Sequence, residues 1–275
     1  MFVLDRPAVQ SRKKTSAKTK SFGPLSLHGI FEKAAAKPVS FTKAELINIR
    51  NALQADAFKS KVLFEPIFGR DKILAHEALA RPEGNGQAFP IQILANQMYN
   101  FGYSSQLDTL TSLNALHQTR KFPITLNISV ESALSEKFWD LLIPRIARYS
   151  PRDVIFEILE HNVDLSADTM VIEALRGAGY RFALDDFGLG AMHNRRLQVF
   201  GPIMDFIKID GYYLQDLYVH NPDNLKSLVK YLRSSYPQAQ LIAEHVKHFD
   251  QAQILFALGF CGVQGRNLRV SDFKR

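Results

Sequence analysis

The sequence predicts an α/β fold, either a parallel sheet or a closed (β/α)8-like barrel. Three observations carry this reading: the chain length, the alternation of short apolar runs with longer helical-period stretches, and the residues on which those runs end. The 275 residues, 46% hydrophobic and 22% charged, suit one large domain of barrel size. No segment approaches the length of uninterrupted apolar sequence that a membrane span needs, and the start has no apolar core of the signal-peptide kind. The expectation is a cytoplasmic protein without a transmembrane segment. Cys261, the single cysteine, excludes an intrachain disulfide and reads as a core residue.

Residues 1–40 read as a basic, disordered tail. Its first 31 residues carry Arg6, Arg12, Lys13, Lys14, Lys18 and Lys20 against Asp5 alone, so five of the chain's seven net positive charges lie there. The positive charge therefore belongs to a solvated extension, whose candidate contacts are nucleic acid, anionic lipid or a protein partner. Thr42-Lys-Ala-Glu45 has capping-box spacing ahead of Leu46, Ile47, Ile49 and Leu53, which predicts a leading helix over 42–57. This helix opens a domain running over 41–275 with its core at 61–267. Eight runs rich in β-branched and aromatic residues follow: Val62 to Phe68, Ile73 to Leu79, Ile124 to Ser129, Val154 to Ile158, Tyr180 to Asp185, Phe206 to Ile209, Gln240 to Ala243, and Cys261 to Val263. Stretches of helical period separate most of them, the pattern of parallel α/β architecture.

Six of these runs end on a polar group: Asn127, Glu157, Asp185 with Asp186, Lys208, Glu244 and Gln264. In a closed parallel barrel the C-terminal strand ends converge on one mouth, so these side chains would share a cavity. Glu77, from the second run, brings the mouth to five carboxylates, one lysine and one asparagine. Carboxylates crowded this closely raise one another's pKa unless cations neutralise them. The candidate ligands are all oxygens, with no cysteine or histidine cluster, which favours Mg2+ or Mn2+ over a thiolate-type zinc site. Adjacent Asp185 and Asp186 could reach two ions, the arrangement used for in-line displacement at phosphorus. The reaction class this suggests is phosphodiester hydrolysis, with Lys208 holding a water or phosphoryl oxygen and Glu244 binding metal or accepting a proton. Tyr212, Tyr213 and Trp139 are read as packing residues.

At these positions the chain resembles the EAL-domain cyclic di-GMP phosphodiesterases. The name-giving tripeptide stands as Glu77-Ala78-Leu79, followed by Arg81. Glu65-Pro66-Ile67, Asn127-Ile-Ser129, Glu157-Ile-Leu-Glu160, Asp185-Asp186-Phe-Gly188, Lys208-Ile-Asp210, Ala243-Glu244 and Gln264-Gly265 complete eight elements in family order. The resemblance implies a (β/α)8 TIM-like barrel of the EAL type and opening of cyclic di-GMP to pGpG in bacterial second-messenger signalling. It also implies two divalent cations held by Glu77, Asn127, Glu157, Asp185, Asp186 and Glu244, with Lys208 positioning the nucleophilic water. Glu65, Leu79, Arg81, Gln264 and Arg266 fall at substrate-binding positions, and Glu160 at the position that steadies the loop after Asp186. Members commonly pair as homodimers through elements near that loop.

The chain departs from the family pattern around the same mouth. Leu189, Ala191, Met192 and His193 replace three hydroxyl-bearing residues and an aromatic. Lys247 stands for a carboxylate, Glu65 for a glutamine and Arg266 for an aromatic. A second reading follows from these departures: a catalytically inactive EAL domain acting as a cyclic di-GMP receptor, or as a protein-interaction module through the barrel.

Overall fold

A computed structural model describes residues 60–84, 87–88, 91–100, 102–159, 164, 166–188 and 193–273. The predicted tail over 1–40 and leading helix over 42–57 lie outside the described residues.

The strands are β1 (Ser60–Phe68), β2 (Ile73–Gly84), β3 (Gln87–Ala88), β4 (Ile124–Ile128), β5 (Val154–Ile158), β6 (Arg181–Phe187), β7 (Phe206–Ile209), β8 (Gln240–Ala243) and β9 (Gly262–Gln264). Between them lie α1 (Ile91–Asn100), α2 (Ser104–Gln118), α3 (Val130–Ala133), α4 (Glu136–Ile146), α5 (Met170–Gly177), α6 (His193–Phe200), α7 (Gly211–His220), α8 (Pro222–Ser235) and α9 (Phe249–Leu258). The sheet runs β1-β9-β8-β7-β6-β5-β4-β2-β3, and β1 also pairs with β2, so the eight long strands close into the expected barrel. The short β3 only extends the outer part of β2.

One strand breaks the all-parallel expectation. β1 is antiparallel to both β2 and β9. Only Gly69 to Lys72 separates β1 from β2, with the Gly69 amide donating to the Lys72 carbonyl at 2.8 Å. Parallel neighbours need a crossover of about a dozen residues or more, and a four-residue turn allows only a hairpin. From β2 round to β9 the other long strands are parallel.

Strand alternation sorts the side chains into two layers. Leu126, Phe156, Phe182, Leu184, Ile207, Leu241 and Ala243 face outward and join the helices in the main core. Trp139 of α4 is buried in this core, edge-on to Phe156 at 4.8 Å, with its indole N–H donating to the Ala133 carbonyl at 2.9 Å. The opposite parity faces the barrel axis. There Ala75, Ile155, Ala183, Phe206 and Ile242 form a separate apolar plug with Ile67, against which the half-buried Cys261 packs. Each of those five stands two residues before a predicted site residue: Glu77, Glu157, Asp185, Lys208 and Glu244. The polar layer is therefore the next layer up the same barrel interior, resting on an apolar floor. Among the described residues no helix is long and apolar enough to cross a membrane.

Candidate active site

Lys208 is the hub of the polar layer. Its side chain is 1% exposed, and its ammonium lies 2.8 Å from Glu157 Oε2, 2.8 Å from Asp185 Oδ1, 2.8 Å from Glu244 Oε1 and 3.4 Å from Glu77 Oε2. Glu77 also accepts from Asn127 Nδ2 at 3.0 Å and from Gln264 Nε2 at 2.7 Å. The structure thus brings together Glu77, Asn127, Glu157, Asp185, Lys208, Glu244 and Gln264 from seven neighbouring strands, Glu77 from within β2 and the others at or beside strand ends.

Asp186 reaches the same mouth by a local irregularity. In a regular strand Asp185 and Asp186 would point to opposite faces. Here the β6–β7 register shifts between Leu184 and Phe187, and Asp186 takes φ +50°. A bulge of this kind re-aims a side chain. Carboxylate oxygens of Asp185, Asp186 and Glu244 consequently lie within 4.8 Å of one another. His245, directly after Glu244, has the same left-handed φ of +50°. Such backbone costs a non-glycine residue roughly 1–3 kcal/mol and is found where surrounding structure enforces it, often at functional sites.

The protonation pattern follows from burial and one central cation. Burial pushes Glu157 up to about 8, opposed by Lys208 and reinforced by Glu77 and Asp185. Burial and the neighbouring Asp185 push Asp186 up to about 7, and burial lifts Glu244 well above the carboxylate range. For Glu77 burial acts upward as well, but Lys208 and the two amides outweigh it and hold its pKa below the usual value. For Lys208 burial acts downward and is overcome by Asp185, Glu157, Glu244 and Glu77, which keep it protonated.

This donor set fits divalent cations. It is composed of oxygens, and Asn127 Oδ1, Glu157 Oε1 and Gln264 Oε1 are buried acceptors without a hydrogen-bond partner. Hard cations take oxygen ligands of this kind. Glu77, Asn127, Glu157, Asp185, Asp186 and Glu244 are the residues that would hold them.

The cluster opens into a cavity of about 460 Å3, which Glu65, Leu79, Arg81, Gln264 and Arg266 also line. All five expected substrate-side residues therefore face the space over the acidic cluster. Glu65 pairs across the hairpin with Glu77. Lys247 is exposed, and among the described residues no ion pair joins it to Glu244. Glu160 and residues 189–192 of the divergent loop lie outside the described residues.

Asp108, Asp210, Tyr212 and His245 also line the cavity, although the sequence assigned none of them a role at the site. Asp108 of α2 is buried, and its mostly polar stretch of sequence gives no spacing signal. Its Oδ2 accepts from the Ser129 amide at 2.9 Å, the Ser129 hydroxyl at 2.8 Å and the Ser132 hydroxyl at 2.6 Å. Burial still pushes its pKa up to about 6. Removing the closest donor with Ser132→Ala is expected to cost about 1–2 kcal/mol. A carboxyl whose folded pKa is raised loses stability as pH rises through that pKa, so urea unfolding should find the loss larger at pH 8 than at pH 5. Asp210 caps α7 by accepting from the Tyr213 amide at 2.8 Å. Tyr212, read as packing, is instead 77% exposed beside His245, and both line the cavity. Helical position told nothing about which way Tyr212 points. Tyr213 and Trp139 do pack, as expected.

Comparison with known proteins places this geometry. The EAL-domain family model matches residues 47–269. PdeA of Escherichia coli strain K12, named a probable cyclic di-GMP phosphodiesterase, is 28% identical over 214 residues, covering 73% of this chain and 29% of that protein. The chain thus spans less than a third of that relative's length. Among solved structures, the FimX EAL domain from Pseudomonas aeruginosa bound to c-di-GMP superposes with a TM-score of 0.64 at 23% identity, over 82% of this chain and 95% of that one. The phosphodiesterase PaMucR in complex with c-di-GMP gives 0.63 at 22% identity, over 82% and 96%. At these identities the structural likeness speaks for the fold, and the family match, spanning most of the chain, establishes that this protein belongs to the EAL-domain family.

Proposed function

We propose that this chain hydrolyses cyclic di-GMP to linear pGpG with two divalent cations, Mg2+ or Mn2+, at the barrel mouth. The observation that carries the reading is the all-oxygen cluster of Asp185, Asp186 and Glu244, with ligand atoms within 4.8 Å of one another beside the Lys208 centre. The printed name of PdeA and the nucleotide in the neighbouring structures support the choice of substrate.

In the reaction a water oxygen bonds to phosphorus and the bond from phosphorus to the ribose 3′ oxygen breaks. That oxygen leaves as a hydroxyl after taking a proton, and the 5′ phosphate remains on the product. Cations held by Glu77, Asn127, Glu157, Asp185, Asp186 and Glu244 would supply Lewis-acid stabilisation of the developing negative charge. Lys208 holds the attacking water, and Glu244 accepts its proton. Arg81 and Arg266 meet the phosphates or a base, with Leu79 and Gln264 completing the wall. Glu65 beside a phosphodiester weakens binding unless Arg81 or Arg266 offsets it. The test is incubation with cyclic di-GMP and either metal, following pGpG by chromatography. Accumulating pGpG supports the reading, and its absence under both metals sinks it.

A second reading, a cyclic di-GMP receptor without turnover, is favoured by one observation. The Lys208 ammonium already neutralises Glu157, Asp185 and Glu244 at 2.8 Å each, so entering cations must compete with it. Nucleotide binding without product would select this reading.

Metal binding has a readout independent of turnover. Glu157, Asp186 and Glu244 have folded pKa values raised above their unfolded ones. Groups of this kind contribute stability that is complete below the unfolded pKa and is lost as pH rises through the folded pKa, here about 7 to 8 for Asp186 and Glu157. The metal-free protein should therefore melt lower at pH 8 than at pH 6. Mn2+ or Mg2+, which binds deprotonated carboxylates, should raise the melting temperature more at pH 8. A metal effect equal at both pH values would contradict this assignment.

A further inference from the structure

We propose that Tyr212 and His245 form an aromatic wall at the cavity rim that receives one purine base of the bound nucleotide. The inference rests on the reading of this site as a cyclic di-GMP site and adds a binding element to it.

Tyr212 is the most exposed large hydrophobic side chain among the described residues, at 77%. It stands in the first turn of α7, whose start is fixed by the Asp210 cap, so its backbone is anchored although its ring is bare. The His245 ring meets it edge-on, with centroids 5.6 Å apart and planes at 82°. An edge-to-face pair leaves ring faces open for a third aromatic partner.

The arrangement is enforced from below. A Cβ on Gly211 would lie 2.2 Å from the His245 Cβ and 2.3 Å from its ring atoms. Only glycine at 211 leaves room for the imidazole against the start of α7. His245 also holds the left-handed φ of +50°, which a glycine would adopt without strain. A strained backbone, a space left by a glycine and a bare tyrosine thus converge on one point of the rim.

That point suits a base. His245 directly follows Glu244, and both line the cavity with Tyr212. A ligand whose phosphorus lies over Glu244 carries its base one ribose away, at the rim rather than in the acidic floor. Purines offer a large flat π surface, and stacking on an aromatic side chain requires no particular hydrogen-bond partner.

The test is titration of cyclic di-GMP and of cyclic di-UMP, which has the same backbone and smaller bases, into the parent, Tyr212→Ala and Tyr212→Phe. Tyr212→Ala is expected to weaken cyclic di-GMP about tenfold and to narrow the preference over cyclic di-UMP. Tyr212→Phe should bind as the parent does. Parental affinity in Tyr212→Ala overturns the wall and leaves the proposed function standing. A parent that binds no cyclic di-GMP overturns both.

Discussion

Glu77→Ala is expected to lower cyclic di-GMP turnover by about 1,000-fold while the barrel stays folded. Lys208, Asn127 and Gln264 hold the pKa of Glu77 below its ordinary value despite burial, so it stays charged for a cation. Losing a charge that stabilises a phosphoryl transition state costs on the order of 100-fold or more, and losing a metal ligand adds to that. The structural cost is smaller. Asn127 and Gln264 each lose an acceptor, worth about 1–3 kcal/mol apiece if left unsatisfied, but the adjoining cavity gives water access to them. Lys208 retains three carboxylates at 2.8 Å. Turnover and thermal midpoint measured on the same samples separate the two effects. Activity lost in step with unfolding would assign Glu77 a structural role instead.

Lys208→Met has the opposite signature, a large loss of stability. The variant leaves Glu77, Glu157, Asp185 and Glu244 crowded without their cation. Removing one partner of a buried ion pair typically costs about 3–5 kcal/mol, because the remaining charge is left uncompensated. The carboxylates can relieve this only by taking up protons. Denaturant unfolding without metal should therefore find the loss largest near pH 8 and smaller near pH 5.5. Divalent cations should restore much of the stability, since they supply the missing positive charge, without restoring turnover. A variant as stable as the parent at pH 8 would contradict the role of Lys208 as the hub.

Much of this centre was legible in the sequence because alternation along a strand is strict. Six apolar runs that each end on a polar residue point to one shared mouth, and the same alternation places Ala75, Ile155, Ala183, Phe206 and Ile242 on the barrel axis beneath the charged layer. What alternation does not describe was harder to read. Asp186 reaches the mouth through a bulge, which has no signature in two adjacent aspartates. The antiparallel β1 was legible in principle, since four residues cannot make a parallel crossover, but the strand pattern alone does not carry direction. Asp108 sits in a helix whose polar residues show no pattern that sets it apart, and only the position of Ser129 and Ser132 in space reveals its three donors. Tyr212 was misread because hydrophobicity predicts burial only on average.

The most direct test of the account is a turnover of cyclic di-GMP in H2(18)O with Mn2+, with the product weighed by mass spectrometry. Attack of water on phosphorus predicts pGpG carrying one 18O in its terminal phosphate. Unchanged cyclic di-GMP, or a linear product without the label, would contradict it.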